Sequence, residues 1–182
     1  RLNDTFWIKS QPYSLRDMFT ASQPELAQAF IGGSVYQAFL SAFNYHRWHA
    51  PVSGVISKAY AVDGAYYSNA DSEGEDPAGL NDSQGYITAV AARAVIVIEC
   101  DDRSIGKVGC VFVGMADVSS CVIEALPGQR VRKGDELGFF QYGGSTCCVV
   151  FGRDVIRGFA LQPPFDDNGA PVKVNARIAT AR

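Results

Sequence analysis

At 182 residues, with 47% hydrophobic and 19% charged residues, the chain has the length and composition of one globular domain that can bury a core. A formal charge of −3 and a pI of about 5.3 argue against nucleic acid or an anionic membrane surface as the main partner. No run of 18 apolar residues occurs, so no helical transmembrane segment is expected, and the start at Arg1 reads as a piece of a longer protein.

Residues 5–9 read as a short strand. Ser14-Leu15-Arg16-Asp17 places an acid three residues after an N-cap serine, which predicts a helix through Met18 and Phe19. Pro24 to Phe30 reads as a second helix, opened by proline and stopped by Gly32-Gly33. From Ser34 to Tyr45 the aromatic, apolar run suits a strand covered on both faces. A turn over 50–54 leads into a strand from Val55 to Val62, and Asp63-Gly64 reads as a hairpin turn into a strand at 65–67. Residues 68–85 carry five acids and one leucine, the composition of a solvated loop or of a lid.

Strands are then expected at Tyr86 to Glu99, Val108 to Met115, Ser119 to Ala125, Glu136 to Gln141, Thr146 to Phe151 and Val172 to Ile178. Their spacing predicts a mainly β fold, a mostly antiparallel sandwich or barrel, with a few short helices near the N-terminus. Pro127 to Gly138 resembles the turn-strand-turn of biotinyl and lipoyl hybrid domains, and Ala50 to Ile56 resembles the strand opposing it. That resemblance implies a barrel-sandwich hybrid core. A carrier lysine between methionines is missing, which disfavours a swinging-arm carrier.

The five cysteines, Cys100, Cys110, Cys121, Cys147 and Cys148, include no C-x-x-C pair and lie mostly in apolar runs. They read as reduced thiols of an intracellular, cytoplasmic protein, and a zinc site lacks its spacing. The two histidines, His46 and His49, lie three apart. In a regular strand they face opposite ways, so no metal is expected. Ser145 follows Gly143-Gly144 at the head of an apolar run, where a serine can be a nucleophile, a phosphate ligand or a turn residue. A base near neutral pH is what a serine nucleophile needs, and His49 ends a strand at a turn, so a Ser–His pairing is open. The flanks match neither G-x-S-x-G nor a P-loop.

Tyr45-His46-Arg47-Trp48-His49-Ala50-Pro51-Val52-Ser53-Gly54, followed roughly ninety residues later by Gly143-Gly144-Ser145-Thr146, resembles the phosphatidylserine decarboxylase family of pyruvoyl-dependent proenzymes. Phe6-Trp7-Ile8-Lys9, Tyr13-Ser14-Leu15, Val113-Gly114-Met115 and Gly134-Asp135-Glu136-Leu137-Gly138 fall in family order, so the resemblance spans nearly the whole chain. The variant features are closest to the soluble fungal branch that includes an L-tryptophan decarboxylase.

The resemblance implies one catalytic domain over 1–182, cut between Gly144 and Ser145, with Ser145 the precursor of a covalent pyruvoyl group. It implies His49 as the base for cleavage and His46 as an aid to decarboxylation. The substrate amine would form a Schiff base with the pyruvoyl ketone. Gly143, Thr146, Arg47 and Trp48 are candidates for substrate binding, and Arg93 for a carboxylate. The expected partners are a small amino acid, free and possibly aromatic, or an aminophospholipid, together with the upstream portion of the same proenzyme. A decarboxylase making phosphatidylethanolamine, a non-catalytic hybrid-fold binding module and a Ser145–His49 hydrolase are the alternatives. The family also implies an acid that orients the base, at a position before Arg1; Asp4 has no motif that promotes it. Written unbroken through Gly144-Ser145, the chain reads as an unprocessed or inactive precursor.

Overall fold

The three most apolar runs of the sequence pair with one another at the centre of the molecule. A computed structural model describes residues 5–8, 11–20, 22–40, 44–66, 83–114, 120–141, 145–160 and 172–182. The strands are β1 (Thr5–Ile8), β2 (Gln11–Ser14), β3 (Ser34–Leu40), β4 (Arg47–His49), β5 (Gly54–Val62), β6 (Arg93–Cys100), β7 (Lys107–Gly114), β8 (Ser120–Ile123), β9 (Arg130–Val131), β10 (Glu136–Gln141), β11 (Ser145–Phe151), β12 (Ile156–Phe159) and β13 (Ala179–Ala181). The helices are α1 (Leu15–Phe19), α2 (Pro24–Phe30) and α3 (Gln84–Val90). Six strands form an antiparallel sheet in the order β3-β11-β7-β6-β5-β9, and β4-β10-β8 form a second sheet. The fold is mainly β and antiparallel, as the strand spacing predicts.

The large sheet is apolar on both faces because its central strands carry no polar alternation. Val95, Val97, Val111, Val113, Cys148 and Val150 bury one face under Leu15, Met18, Phe19, Leu26, Phe30 and Ile87 of the helices. Their neighbours Ala94, Ile96, Ile98, Cys110, Phe112, Val149 and Phe151 bury the other face against Trp48, Leu137 and Phe140 of the small sheet. The period of two along each strand thus builds two cores back to back. Each fully buried valine or isoleucine contributes about 1.5–3 kcal/mol.

Local signals hold where they are strong. The Ser14 hydroxyl accepts from the Asp17 amide at 3.2 Å, capping α1, and α2 runs from Pro24 to Phe30. The two half-motifs meet as expected: Gly54 pairs with Val131, Val55 with Arg130, and the Ile56 amide donates to the Gln129 carbonyl at 2.9 Å.

Four expectations are corrected. Tyr86 to Val90 is helical, part of α3, and the strand begins only at Arg93. Ser83 to Gly85 are buried rather than solvated; residues 67–82 of the expected loop lie outside the described residues. Asp63-Gly64 makes no hairpin: β5 pairs instead with β6, Val62 opposite Arg93, and Ala65 forms one parallel bridge with Ala91. A Cβ on Gly64 would lie 2.4 Å from the Val90 carbonyl oxygen, so this glycine serves a close approach of backbones. Finally, residues 172–178 are irregular; the strand is Ala179–Ala181, paired with β12.

Candidate active site

Strand β4 is three residues long and is held on one side by β10, with Trp48 opposite Gly138 and His49 opposite Glu136. Its side chains divide by alternation. Trp48 points inward, 3% exposed, and stacks on Phe112 with ring centroids 4.2 Å apart and an interplanar angle of 3°. Phe140 meets it edge-on at 4.9 Å. Arg47 faces solvent, paired with the Glu136 carboxylate and lying over the Phe139 ring at 5.0 Å. That carboxylate raises the Arg47 pKa further, so the guanidinium stays charged.

The end of β4 is clamped by the turn at 132–135. The Ala50 amide donates to the Asp135 carbonyl and the Gly134 amide to the Ala50 carbonyl, each at 2.8 Å. Gly134 sits at φ 91°, a conformation natural to glycine, and its carbonyl lies 2.8 Å from His49 Nδ1. A carbonyl only accepts, so Nδ1 carries the proton. In the neutral ring Nε2 then holds the lone pair, and the Tyr45 hydroxyl donates to it at 2.8 Å. The two rings stack at 5.6 Å and 17°. His46 precedes β4. Its ring meets Phe140 edge-on at 6.2 Å, and its buried Nε2 has no hydrogen-bond partner among the described residues.

Between the two sheets lies a cavity of about 120 Å³, lined by His49, Trp48, Leu40, Phe112, Cys147 and Val149 among others. Ser145 opens β11 two residues before Cys147 and pairs in register with Leu40 and with Gly114. The cavity wall therefore includes the register partner of Ser145 on β3, together with His49 of β4. Cys110 and Cys147 also line it. Burial pushes the Cys147 thiol up to about 11 and the Cys110 thiol higher still, so neither is a nucleophile near neutrality.

The other residues expected at the site are placed as follows. Gly143 and Gly144 lie outside the described residues, as does Asp4. Thr146 is fully buried, donating its hydroxyl to the Ala38 carbonyl at 3.0 Å and facing Gln37 Nε2 at 3.4 Å. Arg93, 4% exposed, donates to the carbonyls of Met18 (3.0 Å), Ala91 (2.8 Å) and Asp17 (2.5 Å). It ties α1 to the sheet and has its donors turned to backbone, not to a ligand. Among the described residues no three His, Cys, Asp or Glu side chains group to hold a metal ion. No helix among them is long and apolar enough to cross a membrane.

Two contributors escape the sequence reading. The Gly134 carbonyl has only the turn glycine as its signal, and a backbone acceptor leaves no residue type to find. Tyr45 opens the histidine run, four residues before His49, but a tyrosine there looks like any other aromatic in a β-rich stretch.

The family model for phosphatidylserine decarboxylase matches residues 1–179. Decarboxylase iboD of Amanita muscaria is 39% identical over 98% of the chain, and L-tryptophan decarboxylase of Psilocybe cubensis is 35% identical over 98%. Phosphatidylserine decarboxylase proenzyme 3 of Schizosaccharomyces pombe is 32% identical over 83%. The chain spans 53%, 42% and 14% of those relatives' own lengths, so it matches about half of the first of them.

Proposed function

We propose that this chain, which belongs to the phosphatidylserine decarboxylase family, is the catalytic part of a self-processing decarboxylase of free L-amino acids. The observation that carries the reading is His49. Its Nδ1–H is fixed on a backbone carbonyl, and its Nε2 lone pair accepts from a hydroxyl, that of Tyr45, beside a cavity bordered by the strand that Ser145 opens. An imidazole so held is a general base with its accepting atom already aimed.

In this reading Ser145 gives its hydroxyl proton to His49 Nε2, and its Oγ attacks the Gly144 carbonyl carbon. The Gly144–Ser145 C–N bond breaks as the imidazolium returns the proton to nitrogen, leaving an ester. Loss of the Ser145 Cα proton and cleavage of the Cβ–O bond release the Gly144 carboxylate. Tautomerisation and hydrolysis, which releases ammonia, convert the former serine to a pyruvoyl group. The setting fits such a group: an apolar cavity, one imidazole held by a backbone carbonyl, and a second imidazole, His46, whose buried Nε2 has no hydrogen-bond partner among the described residues. Bound to a substrate amine, the pyruvoyl ketone supplies the electron sink for loss of carbon dioxide. His46 Nε2 is the group we assign to hold or move a proton in that step, and the walls of Leu40, Phe112 and Val149 exclude water.

A free amino acid is favoured over phosphatidylserine as substrate. The relative named for an amino acid, L-tryptophan decarboxylase of Psilocybe cubensis, matches 98% of the chain at 35%, against 32% over 83% for the lipid enzyme named above. Intact-mass analysis of the full-length protein tests the reading. Two pieces are expected, split between residues 144 and 145, the downstream one with a blocked N-terminus. Ser145→Ala should leave the chain whole, and His49→Ala should slow the cut by roughly a hundredfold or more. A wild-type chain that stays uncut on long incubation refutes the proposal. Carbon dioxide release from a panel of free amino acids and from phosphatidylserine vesicles decides the substrate.

A further inference from the structure

His49 has one lone pair in the plane of its ring, and Tyr45 occupies it. The Nδ1 bond to the Gly134 carbonyl fixes the ring, so Nε2 cannot turn to serve a second donor. The Tyr45 hydroxyl donates to Nε2 at 2.8 Å, a full hydrogen bond. Any serine hydroxyl that is to lose its proton to His49 needs the same lone pair.

We propose that Tyr45 is a brake on self-cleavage: it holds the accepting nitrogen of His49 and must leave before Ser145 can hand over its proton. The inference rests on the reading of His49 as the cleavage base. Two features make the exchange physically simple. Tyr45 is 47% exposed and lies ahead of β4, outside any strand, so its ring is not locked in the core. The stack on His49 keeps the imidazole plane covered when the hydroxyl bond is broken. No bond is made or lost in the release itself; one hydrogen bond is exchanged for another, and the proton transferred to Nε2 comes from Ser145.

Tyr45→Phe separates the two contributions, since it keeps the ring and deletes the donor. A neutral hydrogen bond of ordinary strength corresponds to a roughly three- to tenfold faster first-order cleavage rate for Tyr45→Phe. Loss of a merely structural contact would slow the reaction or leave it unchanged, so either result overturns the proposal. Tyr45→Phe combined with His49→Ala should cut no faster than His49→Ala alone; a remaining acceleration would mean that Tyr45 acts elsewhere. Should His49→Ala itself cut at the wild-type rate, the base assignment fails, and that failure is distinct from a failure of Tyr45→Phe. A readout without cleavage is also available. In the uncut Ser145→Ala protein, nitrogen NMR of the two histidines should show the His49 Nε2 resonance shift on Tyr45→Phe. An unmoved resonance would overturn the contact.

Discussion

Gly138→Ala is expected to be the most damaging single-methyl addition near the site. Gly138 lies in β10 at φ 152°, between Trp48 on one side and Ile123 on the other. A Cβ there would stand 2.2 Å from the Val122 carbonyl oxygen and 2.9 Å from two carbons of the Trp48 ring. Neither neighbour can retreat easily, because the carbonyl is strand backbone and the indole is stacked face to face on Phe112. Backbone strain of about 1–2 kcal/mol and overpacking of about 1–3 kcal/mol give a loss of about 2–5 kcal/mol. For a domain of this size that lowers Tm by about 5–15 °C. Gly128→Ala is the control, since Gly128 has φ 86° but nothing within 4 Å of its would-be Cβ. It should cost only the backbone share, about 1–2 kcal/mol. Thermal unfolding of both variants in the uncut Ser145→Ala background measures the difference. If Gly138→Ala is no worse than Gly128→Ala, the contact with Trp48 does not hold β4 in place.

Arg93→Lys should lose about 3 kcal/mol, because one ammonium cannot replace a guanidinium that reaches three backbone carbonyls; urea denaturation checks it, and a loss below about 1 kcal/mol would deny the anchoring role. Stability should also fall in alkali. The partly buried thiols of Cys121 and Cys147 are raised from 9.0 to about 11, so the unfolded chain loses these protons first; their contribution is whole below pH 9 and is lost as pH rises toward 11. A denaturation midpoint that stays flat across that window, with Cys121→Ser and Cys147→Ser no different from wild type in slope, would show that these thiols are not buried as described.

The sequence discloses most where a signal is local. The Ser14 cap, the Pro24 start and the apolar run of β11 each work within a few residues, and each is found in place. It misleads where a choice depends on what lies across the fold. Tyr86 to Val90 is as apolar as a strand, but it packs as a helix beneath α1, with Ile87 fully inside the helical core. A continuous apolar run carries no period to separate the two. Asp63-Gly64 has the chemistry of a turn, yet the glycine is there for the backbone of Val90 to Ala92. At the site, His46, His49 and Trp48 are legible as residue types, and the family resemblance orders them. The partner of Nδ1 is not legible, since every residue has a carbonyl.

Strand β11 lies inside the large sheet, not at its edge. Seven of its residues pair with β3 and the same seven with β7. A scission just ahead of Ser145 would therefore not shed the downstream piece. It would turn one polypeptide into a two-chain assembly whose subunit interface is an interior strand of a continuous sheet, with Cys148, Val149 and Val150 embedded in both cores. Such a break is covalent only: the newly made end is free to carry chemistry while the ladder on either side keeps it in register.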